Sequence, residues 1–172
     1  NAGTVTKSEG VDITSVTGAF NNAGSVSLSA ESAVLSLAGG GTSSGDFQVA
    51  SGATLAFDGG IHSLESESGV TGPGPVHFSA GTVIVDGSYS GVATTKIVGG
   101  TVAFDETADT AAMVQSGGVL TGRGTLTVAG LLTWEGGRME GAGTTVAAGQ
   151  MSIQGKTNKS LYDSRTLENH GP

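Results

Sequence analysis

The sequence predicts an all-β chain wound as a parallel β-solenoid, and three observations carry that reading. Glycine supplies 31 of 172 residues, against 20 Ser and 21 Thr. Glycine at about 18%, more than twice the usual ~7%, argues against long helices, because each interior glycine costs about 1 kcal/mol relative to alanine. Short apolar–polar alternations recur between Gly-containing turns. Phrases of similar sequence return along the whole chain, which is the signature of a repeat architecture.

Taken in order, Asn1-Ala2-Gly3-Thr4-Val5 returns as Asn22-Ala23-Gly24-Ser25-Val26, and Asn169-His170-Gly171 opens the phrase again. Pairs of apolar residues separated by one follow at Val26/Leu28, Phe47/Val49, Val76/Phe78, Val102/Phe104 and Leu126/Val128, in steps of 21, 29, 26 and 24. A weaker copy stands at Thr144/Val146, and Leu167 lies one step beyond it. Three of these strands are introduced by Gly-x-Gly: Gly72-Pro73-Gly74, Gly122-Arg123-Gly124 and Gly141-Ala142-Gly143. Between the anchors, Thr54–Phe57, Thr82–Val85, Leu132–Trp134 and Gln150–Ile153 alternate with period 2. Glycine pairs at 59/60, 99/100, 117/118 and 136/137 bound such strands.

Three short strands per step of about 24 residues make one coil. About seven coils at ~4.8 Å give a rod of roughly 34 Å. Steps of unequal length place insertions in corners, the longest running from Ile61 to Pro75. Residues 1–172 read as a single segment excised from a larger repeat protein, with 156–172 as the start of a further coil or a polar end segment. A β-sandwich is the alternative, but hairpin signals are poor. Asn-Gly is absent, and Asp-Gly occurs only at Asp58-Gly59 and Asp86-Gly87.

Seven basic and fifteen acidic residues give a net charge of −8. That disfavours nucleic acid as a partner, since phosphate binding needs clustered cations. No run approaches the ~18 apolar residues of a membrane-spanning helix. There is no cysteine, so repetition and packing must hold the fold.

Candidate chemistry is sparse. His62, His77 and His170 lack ligand spacing, and the alternation turns His77 outward. No Gly-x-Ser-x-Gly, phosphate loop or repeat-in-toxin calcium phrase occurs, so no cofactor or metal is expected. Asp58, Asp86 and Asp105 each follow a strand and could stack along one corner, with Glu106 and Asp109 just beyond. Counting from the anchors separates Asp105 from the other two and leaves Asp58 and Asp86 as possible ligand contacts. A carboxylate stack would repel or take up a cation such as Ca²⁺. Among aromatics, Trp134 shares the inward face with Leu132, yet remains a possible sugar platform. Tyr89 is expected exposed in a corner, and Tyr162 is a further candidate. Phe20, Phe47, Phe57, Phe78 and Phe104 should form an internal stack. Asn1, Asn22 and Asn169 could start an asparagine ladder.

Residues 122–155, with Thr133-Trp134-Glu135-Gly136-Gly137 and Gly143-Thr144-Thr145-Val146-Ala147-Ala148-Gly149, resemble the Gly/Thr-rich repeats of bacterial autotransporter passengers and filamentous-haemagglutinin-like adhesins. The tail Asp163–Gly171 is similar to the start of another such repeat. The resemblance implies a right-handed parallel β-helix at the cell surface or secreted, with no shared catalytic motif to carry over. The expected function is therefore a structural or adhesive segment that displays or spaces binding to a glycan or protein receptor, rather than an enzyme. A carbohydrate-binding or carbohydrate-active β-helix is the alternative. Uncapped ends predict end-to-end self-association.

Overall fold

The computed structural model describes Asn1–Gly171. It is built of twenty strands in one continuous parallel sheet that winds through about eight turns, and the described residues contain no helix. Three flat faces result. The first carries β1 (Thr4–Lys7), β3 (Ser25–Leu28), β6 (Asp46–Val49), β8 (Gly69–Thr71), the start of β10 (Ser88–Ile97), the start of β12 (Ala108–Gln115), β14 (Thr125–Val128), β17 (Thr144–Ala147) and β20 (Thr166–Asn169). The second carries β2 (Ile13–Val16), β4 (Val34–Leu37), the starts of β7 (Thr54–Leu64) and β9 (Val76–Val85), the ends of β10 and β12, β15 (Leu131–Trp134) and β18 (Gln150–Ile153). The third carries β5 (Gly41–Ser43), the ends of β7 and β9, β11 (Thr101–Phe104), β13 (Val119–Thr121), β16 (Gly137–Met139) and β19 (Lys159–Leu161).

Register follows from burial. Strand side chains alternate across the sheet, so each strand sends every second residue into the rod. On the first face Val26, Phe47, Val70, Tyr89, Ala108, Leu126 and Thr145 stack inward, flanked by Val5 and Leu167 at the ends. On the second face Leu37, Phe57, Phe78, Ile97, Gln115 and Trp134 do the same. The third contributes His62, Val83, Val102, Leu120 and Met139. Nearly all are at most 5% exposed.

The inward first-face positions 5, 26, 47, 70, 89, 108, 126, 145 and 167 give turns of 21, 21, 23, 19, 19, 18, 19 and 22 residues. The longer steps between apolar anchors mix faces. Val26, Phe47 and Leu126 lie on the first, Val76 on the second and Val102 on the third. An apolar–polar–apolar strand looks the same on any face, so the anchors carry no mark of the face they belong to. For the same reason Ile61–Pro75 is no insertion: it is the end of β7, a corner, β8 and the next corner.

The corner between the second and third faces is built by stacked glycines. Gly40, Gly60, Gly81, Gly100, Gly118 and Gly137 all adopt positive φ, between 64° and 86°. A Cβ at Gly100 would meet Gly81 O at 2.5 Å and Ala80 C at 2.7 Å. Only glycine combines the left-handed conformation with so close a backbone approach.

The predicted phenylalanine stack forms, fed from all three faces. Phe57 and Phe78 are parallel at 5.5 Å, Phe78 meets Phe104 edge-on at 6.2 Å, and Phe20 contacts Phe47 at 6.4 Å. The asparagine ladder has a single amide-to-amide step among the described residues. Asn1 Nδ2 donates to Asn22 Oδ1 at 2.8 Å, and Asn22 Nδ2 donates to Asp46 O. Asn169 lies across from Ala147 at the end of a first-face strand and belongs to another corner. Residues 159–169 pair with β16 and β17 and form part of the last turn.

Candidate functional site

The predicted contact residues are not brought together. Tyr89 lies inside, 1% exposed, in the first-face stack between Val70 and Ala108. Its hydroxyl shares a 2.7 Å hydrogen bond with Thr95 Oγ1, and its ring meets Phe104 edge-on at 5.0 Å. Burial drives the phenol well above its ordinary range. The expectation of an exposed corner is overturned: Gly87-Ser88 ends the corner, and β10 starts with Tyr89 at its first inward position. Trp134 is inward as its alternation indicates, and its Nε1 donates to Gly136 O at 3.1 Å. With 5% exposure it offers no sugar platform. Tyr162 is the aromatic that remains outside, 52% exposed, with the Arg138 guanidinium 5.7 Å over its ring.

Asp58 and Asp86 occupy different corners. Asp58 follows Phe57 where the second face turns into the third, and its Oδ2 accepts a hydrogen bond from Ser36 Oγ. Asp86 follows Val85 where the third face turns into the first. Leu64, Val85 and Phe104 pair in register, so the residues after them, Glu65, Asp86 and Asp105, lie at one corner on successive turns. Asp105, expected apart, is therefore the neighbour of Asp86, and Asp58 is the outlier. Counting from the anchors fails here because Phe104 ends a third-face strand, as Val85 does, whereas Phe78 lies on the second face.

Several carboxylates gather at that corner. A groove of about 510 Å³ is lined by Ser63, Glu65, Ser66, Glu67, Asp86, Glu106 and Arg123. A second of about 420 Å³ shares Ser66, Asp86 and Glu106 and adds Gly87, Ser88 and Thr107. Arg123 donates its backbone N–H to Asp105 Oδ1 at 3.0 Å, and its side chain lies 3.7 Å from Glu106 Oε1. Both members of that ion pair are well exposed, so it adds little. Among the described residues, no three His, Cys, Asp or Glu side chains converge as a metal site.

The outer side of the first face is a different surface. Thr4, Ser25, Ser88, Thr125, Thr144 and Thr166 form one column, and Thr6, Ser27, Thr71, Ser90 and Thr127 a second. Asp46, Gln48, Gly69, Asp109, Val146 and Glu168 complete them. The columns stand ~4.8 Å apart per turn along the rod and about 7 Å apart within a strand.

His62 departs from the solvent or turn role its sequence context suggests. It is 3% exposed, edge-on to Phe57 at 5.0 Å, with Nε2 3.0 Å from Gly59 O. Desolvation holds its pKa below the ordinary histidine value despite backbone hydrogen bonds that raise it. His77 is outward and half-buried, and burial and the nearby Lys96 charge lower it too.

Comparison of the chain with protein-family models, with curated proteins and with solved structures finds no match. No helix of the structure is long and apolar enough to cross a membrane.

Proposed function

We propose that the chain is a structural and adhesive β-helix segment of a large bacterial surface-exposed or secreted protein, which displays binding to a surface glycan or protein receptor. The observation that carries this reading is the outer first face. Nine strands hold two columns of mostly Ser and Thr, with one break in register between Tyr89 and Val92, over eight steps of ~4.8 Å or about 38 Å. Each hydroxyl contact is weak, but contacts held in one rigid register add through effective concentration rather than strength. A repeating partner rich in hydroxyl groups, such as a polysaccharide, meets such a grid at many points. The resemblance of residues 122–155 to autotransporter-passenger repeats supports the surface placement.

A binding screen of the chain against polysaccharides and surface glycans, with product release read in the same wells, tests the reading. The expected outcome is binding without turnover, lost when Thr125 and Thr127 become Val. Binding that survives those substitutions refutes the first face as the contact.

The acidic groove favours a second reading, a carbohydrate-active β-helix. Paired carboxylates at one site can serve as acid and base toward a glycosidic bond. Turnover abolished by Asp86→Asn and Glu106→Gln would establish it and displace the first.

A further inference from the structure

The outer first face is a sheet surface of one sign of charge. Its two columns carry Asp46, Asp109 and Glu168, and no Lys, Arg or His stands in them. The corner that leads into this face adds Glu65, Asp86 and Asp105 on successive turns, about 4.8 Å apart, with Glu106 after them. Among the described residues Arg123 is the one exposed cation at that corner. Columns and corner form one surface. Thr107 precedes Ala108, and the register that aligns Tyr89, Ala108 and Leu126 places it in the first column between Ser88 and Thr125. Ser88 and Thr107 line the same groove as Asp86 and Glu106.

We infer, resting on the reading of this face as a glycan contact, that the glycan it takes is polycationic: an extended polysaccharide with free amino groups, such as a glucosamine polymer, lying along the rod. Charge complementarity selects it. The corner carboxylates stand in a row, one to a turn, and among the described residues no three His, Cys, Asp or Glu side chains converge as a bound metal ion requires. Such a row is met by a polymer that offers one ammonium group per residue. The rings of an extended glycan succeed one another at about the spacing of the turns, so amine after amine finds a carboxylate while the ring hydroxyls reach the Ser and Thr columns. Each ammonium donates to its carboxylate in a charge-assisted hydrogen bond. A neutral glycan leaves those charges unused, and a uronic-acid polymer is repelled by them.

The composition of the surface also disfavours a basic polypeptide. Val146 is the one apolar side chain in the two columns, so the grid offers no pocket for the buried aromatic or aliphatic anchor on which protein interfaces depend. A sugar chain needs none, because its contacts are hydroxyl to hydroxyl and amine to carboxylate. The carboxylates at the corner are exposed or half-buried, so their attraction acts through solvent and is screened by salt.

The test titrates the whole chain with β-linked glucosamine oligomers, and separately with the same oligomers after N-acetylation, at about pH 6, where primary amines carry their proton. The two ligands share backbone and ring hydroxyls and differ in charge. At low salt the amino form is expected to bind on the order of tenfold more tightly, three exposed ion pairs giving roughly twofold each. That gap should close near ~1 M salt, where screening is complete within about 3 Å. A Glu65→Gln, Asp86→Ser, Glu106→Gln chain should hold the amino form no better than the acetylated one, and circular dichroism checks that it folds. Equal affinity for the two ligands, or a preference that persists in the variant, overturns the inference and leaves the first face free to bind a neutral glycan. Tighter binding of a lysine-rich peptide of matched charge assigns the surface to a basic polypeptide and overturns it too. Failure of both oligomers while another glycan binds in the broader screen overturns this inference alone. Silence across that screen removes the reading on which it rests as well.

Discussion

Replacing Gly100 with alanine should be clearly destabilising. Gly100 sits at φ +64°, where a Cβ costs about 1–2 kcal/mol. The new atom would also stand 2.5 Å from Gly81 O, where ordinary contact begins at 3.4 Å, so the neighbouring backbone must withdraw by 3.4 − 2.5 = 0.9 Å. Applied to the adjacent Val98 N–H···O Phe78 bond, 2.9 Å long, that movement ends the hydrogen bond. Its loss adds about 0.5–1.5 kcal/mol, for a total of about 1.5–3.5 kcal/mol. In a chain of this size that lowers Tm by roughly 3–14 °C. Hydrogen exchange should rise first at the corners holding Gly81, Gly100 and Gly118, because repeat proteins lose neighbour contacts locally. Gly18→Ala is the control, since a Cβ there meets nothing within 4 Å. Its stability should stay within about 0.5 kcal/mol of the parent. A Gly100→Ala chain that unfolds with the parent, in denaturant and by exchange, would refute the glycine-corner argument.

Two further outcomes follow from buried polar groups. Tyr89→Phe leaves Thr95 Oγ1 without its 2.7 Å partner inside the core and should cost about 1–3 kcal/mol in a denaturant titration. Glycan binding should be unchanged, and a loss of binding at matched stability would put Tyr89 back in a contact role. His62 is held neutral in the fold with its pKa depressed, so the unfolded chain binds more protons as pH falls through the ordinary histidine value near 6.5. Stability should therefore be full above that pH and decline below it. His62→Leu should flatten part of that decline in unfolding free energies measured from pH 8 to 4.5, with the remainder traceable to His77. An unaltered pH profile would show that His62 does not carry the effect.

The glycine pairs hold the register. Gly39-Gly40, Gly59-Gly60, Gly99-Gly100, Gly117-Gly118 and Gly136-Gly137 mark one corner on turn after turn, with Ala80-Gly81 in the same place. Their spacing of 18–21 residues is the true turn length, and it is legible in the amino-acid sequence alone. The apolar anchors mask it, because strands on three faces carry the same alternation. The acidic groove is half legible. Asp86 and Asp105 stand out as carboxylates that follow strands, but placing them beside Glu65 requires that Leu64, Val85 and Phe104 share a face.

The amino-acid sequence by itself determined that this chain is all-β, that it repeats, that short strands turn at glycines, and that Val, Leu and Phe fill a continuous interior. Those properties are local. Alternation, left-handed corners and the low helical tolerance of glycine act within a few residues of the chain. Only the tertiary structure decided which strands share a face, and with that the eight turns, the inward Tyr89 and His62, the hydroxyl columns and the carboxylate corner. Those depend on pairing between residues about 20 positions apart. A strand of period 2 carries no mark of the neighbour it will stack on, so the choice falls to the closure of the whole coil.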